Sequence, residues 1–157
     1  MSGLGSPQME LPNAAGLRIA ILAAAWHEQV MAGLIAGAVR ATAASGASYE
    51  LVRVPGAFEL PIMAQHCARG GFDAVVALGV VIRGGTPHFE YVCRAATDGL
   101  TRVALDTAVP IGFGLLTCDD EAQALSRAGL PDSVEDKGYE ATAAALVTAL
   151  ALRSAGA

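Results

Sequence analysis

At 157 residues, with 54% hydrophobic and only 16% charged side chains, the chain can bury one core and is too apolar to leave its remaining surface in water. A net charge of −5, with no basic block and no basic-aromatic interleaving, excludes a nucleic-acid binder. Cys67, Cys93 and Cys118 are scattered, odd in number and in no C-x-x-C arrangement, which argues against a disulfide framework or zinc site and for a reducing cytoplasm.

Residues 1–16, "MSGLGSPQMELPNAAG", are rich in Gly, Pro and small residues and predict a flexible arm ahead of one folded domain, 17–157. No Lys or Arg precedes Arg18, so the start lacks the basic region of a signal peptide. The one stretch long enough to span a membrane, 19–39, carries His27 and Glu28 near its centre, and its first part reads as a buried strand. Self-association is the better outlet for the excess apolar surface.

From "LRIAILAA" onward, apolar runs alternate with helical stretches. A helix over 28–45 stops at Gly46, and "YELVRV" forms the second strand. A helix over 58–69 ends at Gly70-Gly71. "AVVALGVVI" is a nearly continuous apolar strand, the kind buried on both faces of a parallel sheet. The next helix shows Val92, Ala96, Leu100 and Val103 at helical spacing. "VPIGFGLL" is the fourth strand, and Asp119, Asp120 and Glu121 put negative charge at a helix start. A polar connector, "GLPDSVEDKG", leads to a closing helix over 139–153. Such alternation implies a parallel sheet with helices on both faces, and ligands then sit outside the carboxyl ends of the strands.

Unusual residues fall at those ends. In "IRGGTPHFE", Thr86 suits an N-cap and Pro87 the first helical position. Gly84 and Gly85 permit close approach of the backbone. Two readings stand: a capped helix with a surface histidine, or a phosphate-type anion cradle with His88 as a neutral imidazole beside it, able to accept and return protons. In "VPGAFELP", Glu59 either complements a helix dipole or accepts hydrogen bonds from ligand hydroxyls. Trp26, beside His27, is either a core residue or a platform for a flat heterocycle. Arg127 is a C-terminal dipole partner or a phosphate ligand. Lys137 is the only lysine, and Glu135 and Asp136 beside it oppose the lowered pKa that Schiff-base chemistry needs.

The order and spacing of "VPGAFELP", "ALGVVIRGGTPHFEYVC", "FGLLT", "EAQALSRAG" and "DKG", from Leu17 to Leu152, resemble the 6,7-dimethyl-8-ribityllumazine synthase family of riboflavin biosynthesis. The Trp-His pair and the connector resemble its actinobacterial members in particular. The resemblance implies a flavodoxin-like three-layer α/β/α sandwich with a four-stranded parallel sheet. It implies a transferase that condenses 5-amino-6-(D-ribitylamino)uracil with 3,4-dihydroxy-2-butanone 4-phosphate, without a metal or organic cofactor. Carried over by motif, Trp26 stacks on the pyrimidine, Ala57, Phe58 and Glu59 hold the ribityl chain, and Val81 and Ile82 meet the pyrimidine edge. Gly85 and Thr86 bind phosphate and His88 shuttles protons. Phe113, Arg127 and Lys137 reach the site from a neighbouring subunit, Arg127 as the phosphate's cation. His27, next to the platform, is a further substrate contact.

Three departures from the family pattern stand out. Ala25 precedes the aromatic where many members carry a basic or polar residue, and Gly85 replaces a bulkier residue. The connector is longer than the Gly-rich version of members that build large closed shells, which predicts a homopentamer that stops there. Two rivals are weighed against this reading. One is a non-catalytic flavin- or lumazine-binding paralogue, which would have no need of a phosphate site. The other is a phosphosugar lyase, which the single poorly placed lysine and the lack of metal ligands disfavour.

Overall fold

The computed structural model describes residues 10–156. Its strands are Arg18–Ala24 (β1), Ser48–Val54 (β2), Ala74–Ile82 (β3) and Ile111–Cys118 (β4). They alternate with helices Glu28–Ser45 (α1), Leu60–Arg69 (α2), His88–Thr107 (α3), Glu121–Leu125 (α4) and Lys137–Ala155 (α5). Every strand pairing is parallel and the order is β2-β1-β3-β4. The fold is the flavodoxin-like three-layer sandwich expected from the sequence.

The buried residues of β1 and β3 divide between the two faces by the alternation of a pleated strand. Ile19, Ile21, Val76 and Leu78 pack with α1 and α5. Ala20, Leu22, Val75 and Ala77 pack with α2 and α3. Both strands are therefore apolar almost throughout, which is why "AVVALGVVI" shows no polar alternation. The helix α1 ends where it should, at Gly46, whose φ of 77° turns the chain so that its N–H donates to the Ala43 carbonyl.

Several boundaries shift for local reasons. A single 3-10 turn, Ala57–Glu59, opens the stretch expected to be helical from residue 58, and α2 follows it. The fourth strand starts after Pro110 and runs on to Cys118. Helix α5 begins two residues early because the Asp136 carboxylate accepts from the Tyr139 N–H at 3.0 Å and also pairs with Arg40. Gly138 then lies so close to α1 that a Cβ there would overlap the Leu34 carbonyl. That close crossing fixes the start of α5, and with it Lys137.

The expected arm is partly tied down. Ala14 is fully buried, its N–H donates to the Ser45 carbonyl at 2.7 Å, and Leu11 packs against the α1/α5 core. Residues 1–9 lie outside the described residues. Among the described residues no helix is long and apolar enough to cross a membrane, and the 19–39 stretch divides into β1 and part of α1.

From β1 the chain crosses to one neighbour, β2, and then back past β1 to β3 and β4. Connections leaving β1 and β3 therefore run to opposite sides, which opens a crevice above their carboxyl ends.

Candidate active site

The crevice holds a cavity of about 320 Å³. It is lined by Trp26 and His27 after β1, by residues 56–59 after β2, by residues 80–82 of β3, and by His88 and Val92 of α3. Eight of the residues singled out in the sequence thus converge: Trp26, His27, Ala57, Phe58, Glu59, Val81, Ile82 and His88.

The indole of Trp26 is 68% exposed, so the core reading of the only tryptophan fails and the platform reading fits. Its neighbour explains the geometry. His27 adopts a left-handed backbone, φ 60° and ψ 67°, at the N-cap of α1. For a residue with a Cβ this costs about 1–2 kcal/mol, and it turns the chain sharply from β1 into α1. Backbone strain of this kind clusters at ligand-binding sites and switch regions.

Glu59 takes the N-cap position of α2, yet its side chain makes no capping hydrogen bond. The carboxylate faces the cavity instead. A Cβ built on Gly56 would stand 3.3 Å from Glu59 Oε2 and 3.5 Å from Trp26 Nε1, so glycine keeps the space between platform and carboxylate open. The site pairs a flat apolar face with an acceptor for hydroxyl groups.

His88 is the first residue of α3 and is exposed at the cavity edge. The cap lies one residue later than expected: Pro87 occupies that position, while the Thr86 hydroxyl accepts from the His88 N–H at a long 3.5 Å. Gly85 and Thr86 do not line the cavity but immediately precede its His88 wall. A Cβ on Gly84 or Gly85 would meet nothing within 4 Å, so this loop is open to an incoming group. Free N–H groups in a loop ahead of a helix start, here the 20-residue α3, have the chemistry of an anion site.

Phe113, Arg127 and Lys137 are not part of this cavity. Phe113 is half-exposed on β4 and lines a separate open groove of about 780 Å³ with Pro87, Tyr91 and Cys93 along the outer side of α3. Arg127 donates from Nη1 to the Gln123 carbonyl at 2.8 Å, the dipole-partner arrangement at the end of α4, and its Nε lies 3.9 Å from Glu135. Lys137 Nζ lies 2.6 Å from Glu140 and 3.2 Å from Glu135. Burial works to lower its pKa, but the bonds to Glu140 and Glu135 outweigh it and hold the ammonium above the ordinary lysine value. That is the wrong direction for a nucleophilic amine. Burial likewise pushes the thiols of Cys67, Cys93 and Cys118 up, away from thiolate chemistry.

Comparisons with known proteins place the chain among its relatives. The family described as 6,7-dimethyl-8-ribityllumazine synthase matches residues 16–153. The chain is 63% identical to the 6,7-dimethyl-8-ribityllumazine synthase of Leifsonia xyli subsp. xyli over 155 residues, which cover 98% of each chain. It is 66% identical to that of Kineococcus radiotolerans over 154 residues, covering 98% of this chain and 95% of the relative.

The chain belongs to the 6,7-dimethyl-8-ribityllumazine synthase family. It is accordingly a transferase enzyme of riboflavin biosynthesis.

Within this lumazine synthase fold, sequence reasoning misses three wall residues, Gly56, Val80 and Val92. Val80 shares a strand face with Ile82, a period-two relation that could have found it. Val92 follows His88 by one helical turn, but its spacing with Ala96 and Leu100 marks it only as core. Gly56 stands in the sequence as a turn residue and nothing more.

Proposed function

We propose that the chain condenses 5-amino-6-(D-ribitylamino)uracil with 3,4-dihydroxy-2-butanone 4-phosphate to give 6,7-dimethyl-8-ribityllumazine, releasing phosphate and water. The observation that carries this reading is the convergence of Trp26, Glu59 and His88 on one crevice, with the open loop at Gly85 and Thr86 at its edge. Trp26 stacks on the pyrimidine, with His27, Val81 and Ile82 around the ring. Ala57 and Phe58 flank the ribityl chain, whose hydroxyls donate to Glu59. The phosphate sits on the N–H groups at Gly85 and Thr86.

Attack of the amine on the ketone requires proton transfers, which His88 supplies and takes back. Departure of the phosphate needs a preorganised anion hole. Holding both substrates in register contributes the remainder, and oriented bimolecular reactions can gain about 7–11 kcal/mol from that alone. No step calls on a metal or an organic cofactor. The direct test mixes the purified protein with both substrates and follows lumazine fluorescence. Formation well above the spontaneous rate is expected, and a rate equal to the spontaneous one contradicts the reading.

The single tryptophan supplies an independent check. Adding the ribitylaminouracil is expected to quench its emission by stacking. Trp26→Ala is expected to weaken pyrimidine binding by about 1 kcal/mol, roughly fivefold, with little effect on phosphate. An unchanged pyrimidine affinity would remove the platform role.

The working form in this reading is a homopentamer in the cytoplasm, with Phe113, Arg127 and Lys137 entering the crevice of the adjoining subunit. Support comes from apolar side chains left uncovered in one chain: Tyr91, 74% exposed, lines the open groove along α3, and Leu105, 79% exposed, lines a second groove of about 380 Å³ that also meets Phe113. A chain this apolar needs such a face covered. Light scattering is expected to give a pentamer mass, and megadalton particles would contradict the pentamer as end state.

A further inference from the structure

The exit of β3 carries a side-chain arrangement that the roles above leave unused. The Arg83 Nε donates to Asp119 Oδ1 at 2.9 Å, and its Nη1 donates to the Glu90 carboxylate. Its guanidinium carbon lies 4.3 Å from the centre of the Phe89 ring. The Arg83 N–H also donates to the Cys118 carbonyl at 2.9 Å. Phe89 and Glu90 belong to the first turn of α3, and Asp119 is the residue after β4. One side chain therefore joins the entrance of the 84–88 loop to its exit, and ties both to the neighbouring strand.

Little else holds this segment. Positions 84 and 85 have no heavy atom within 4 Å of where a Cβ would stand, and both are glycines, the residues with most backbone freedom to lose. The Thr86 hydroxyl contact to the His88 N–H, at 3.5 Å, is at the outer limit of a hydrogen bond. An anion cradle binds well only when its N–H groups converge before the ligand arrives, because ordering them on binding subtracts from affinity.

We propose that Arg83 is a positioning residue: by clamping residues 84–88 at their base, it presets the loop that receives the phosphate of the phosphorylated ketone, without itself touching the phosphate. The inference rests on the reading of Gly85 and Thr86 as a phosphate site. Against a role as ligand, the guanidinium is already committed to two carboxylates, and one cation with two anions leaves this cluster a formal charge of −1. Hydrogen bonds from Arg83 hold the carboxyls of both Glu90 and Asp119 below the ordinary carboxylate range, so the cluster stays fully ionised at neutral pH.

The test uses inorganic phosphate as the probe, with calorimetric binding to the assembled full-length protein at low salt, alongside separate KM values for the two substrates. Arg83→Ala is expected to weaken phosphate binding, and to raise KM for the phosphorylated ketone, by roughly five- to tenfold, the combined reach of two exposed ion pairs and a preset loop. The pyrimidine KM is expected to stay put. Arg83→Lys is expected to recover part of the loss, since it keeps one ion pair and loses the fork.

The paired change Glu90→Gln with Asp119→Asn separates clamp from ligand by sign. Read at high salt, where the loss of two carboxylate charges no longer favours the anion by itself, a clamp loses phosphate affinity when its anchors go, whereas a phosphate-binding arginine freed from two carboxylates would gain it. Tighter binding by the pair, or no change in Arg83→Ala, overturns the inference. All three side chains are exposed, so the variants are expected to fold; should Arg83→Ala not fold, the sign seen with the paired variant decides between the two roles. Absence of phosphate binding by the unmodified protein would sink the phosphate-site reading as well, whereas binding that ignores these substitutions sinks the clamp only.

Discussion

Replacing His88 by Ala is expected to slow lumazine formation at saturating substrates by about 10²- to 10⁴-fold, the usual contribution of a positioned general acid–base group. The imidazole heads α3, shares the crevice wall with Trp26 and Glu59, and follows in sequence the loop proposed to take the phosphate. Some catalysis should survive in the variant, because substrate positioning and the anion site are untouched. Quenching of Trp26 by the pyrimidine should survive too. Loss of rate with retained quenching identifies a proton shuttle. A change of less than about threefold would leave His88 with a scaffolding role only.

The second large effect is expected at Arg127. Its removal should lower kcat/KM for the phosphorylated ketone by about 10- to 100-fold, the range of charge-assisted hydrogen bonds that lose one partner. Pyrimidine affinity should barely move. In the isolated chain the guanidinium is held by the Gln123 carbonyl and faces Glu135, away from the residues lining the Trp26 crevice. In the proposed assembly its effect on catalysis is exerted on a neighbour's site. Equal losses on both substrates would mean that Arg127 supports the fold instead.

Much of this architecture is legible in residue order. The bounds of α1 and β3 follow from Gly46 and from an uninterrupted apolar run between Asp73 and Arg83. Alternating strands and helices then place four strand tips at one end of the sheet, and the residues of unusual type sit on those tips. Other features have no one-dimensional signal. "PGAFELP" suits a 3-10 turn and an α-helix equally, so the expected entry into α2 comes out wrong. A tryptophan flanked by small residues looks like core, and only the left-handed backbone of His27 reveals the sharp turn beside it. Arg83 gives no sign of its role because its two partners lie 7 and 36 residues away, a juxtaposition created by β3 pairing with β4.

In the proposed assembly each working site joins His88 of one subunit to Arg127 of the next. Co-expressing the His88→Ala and Arg127→Ala chains in equal amounts shows whether it does. Random mixing in a ring leaves about one site in four with both residues intact, so activity near a quarter of the unmodified protein is expected from two nearly inactive parents. A mixed assembly no more active than the average of its two parents would contradict a shared site.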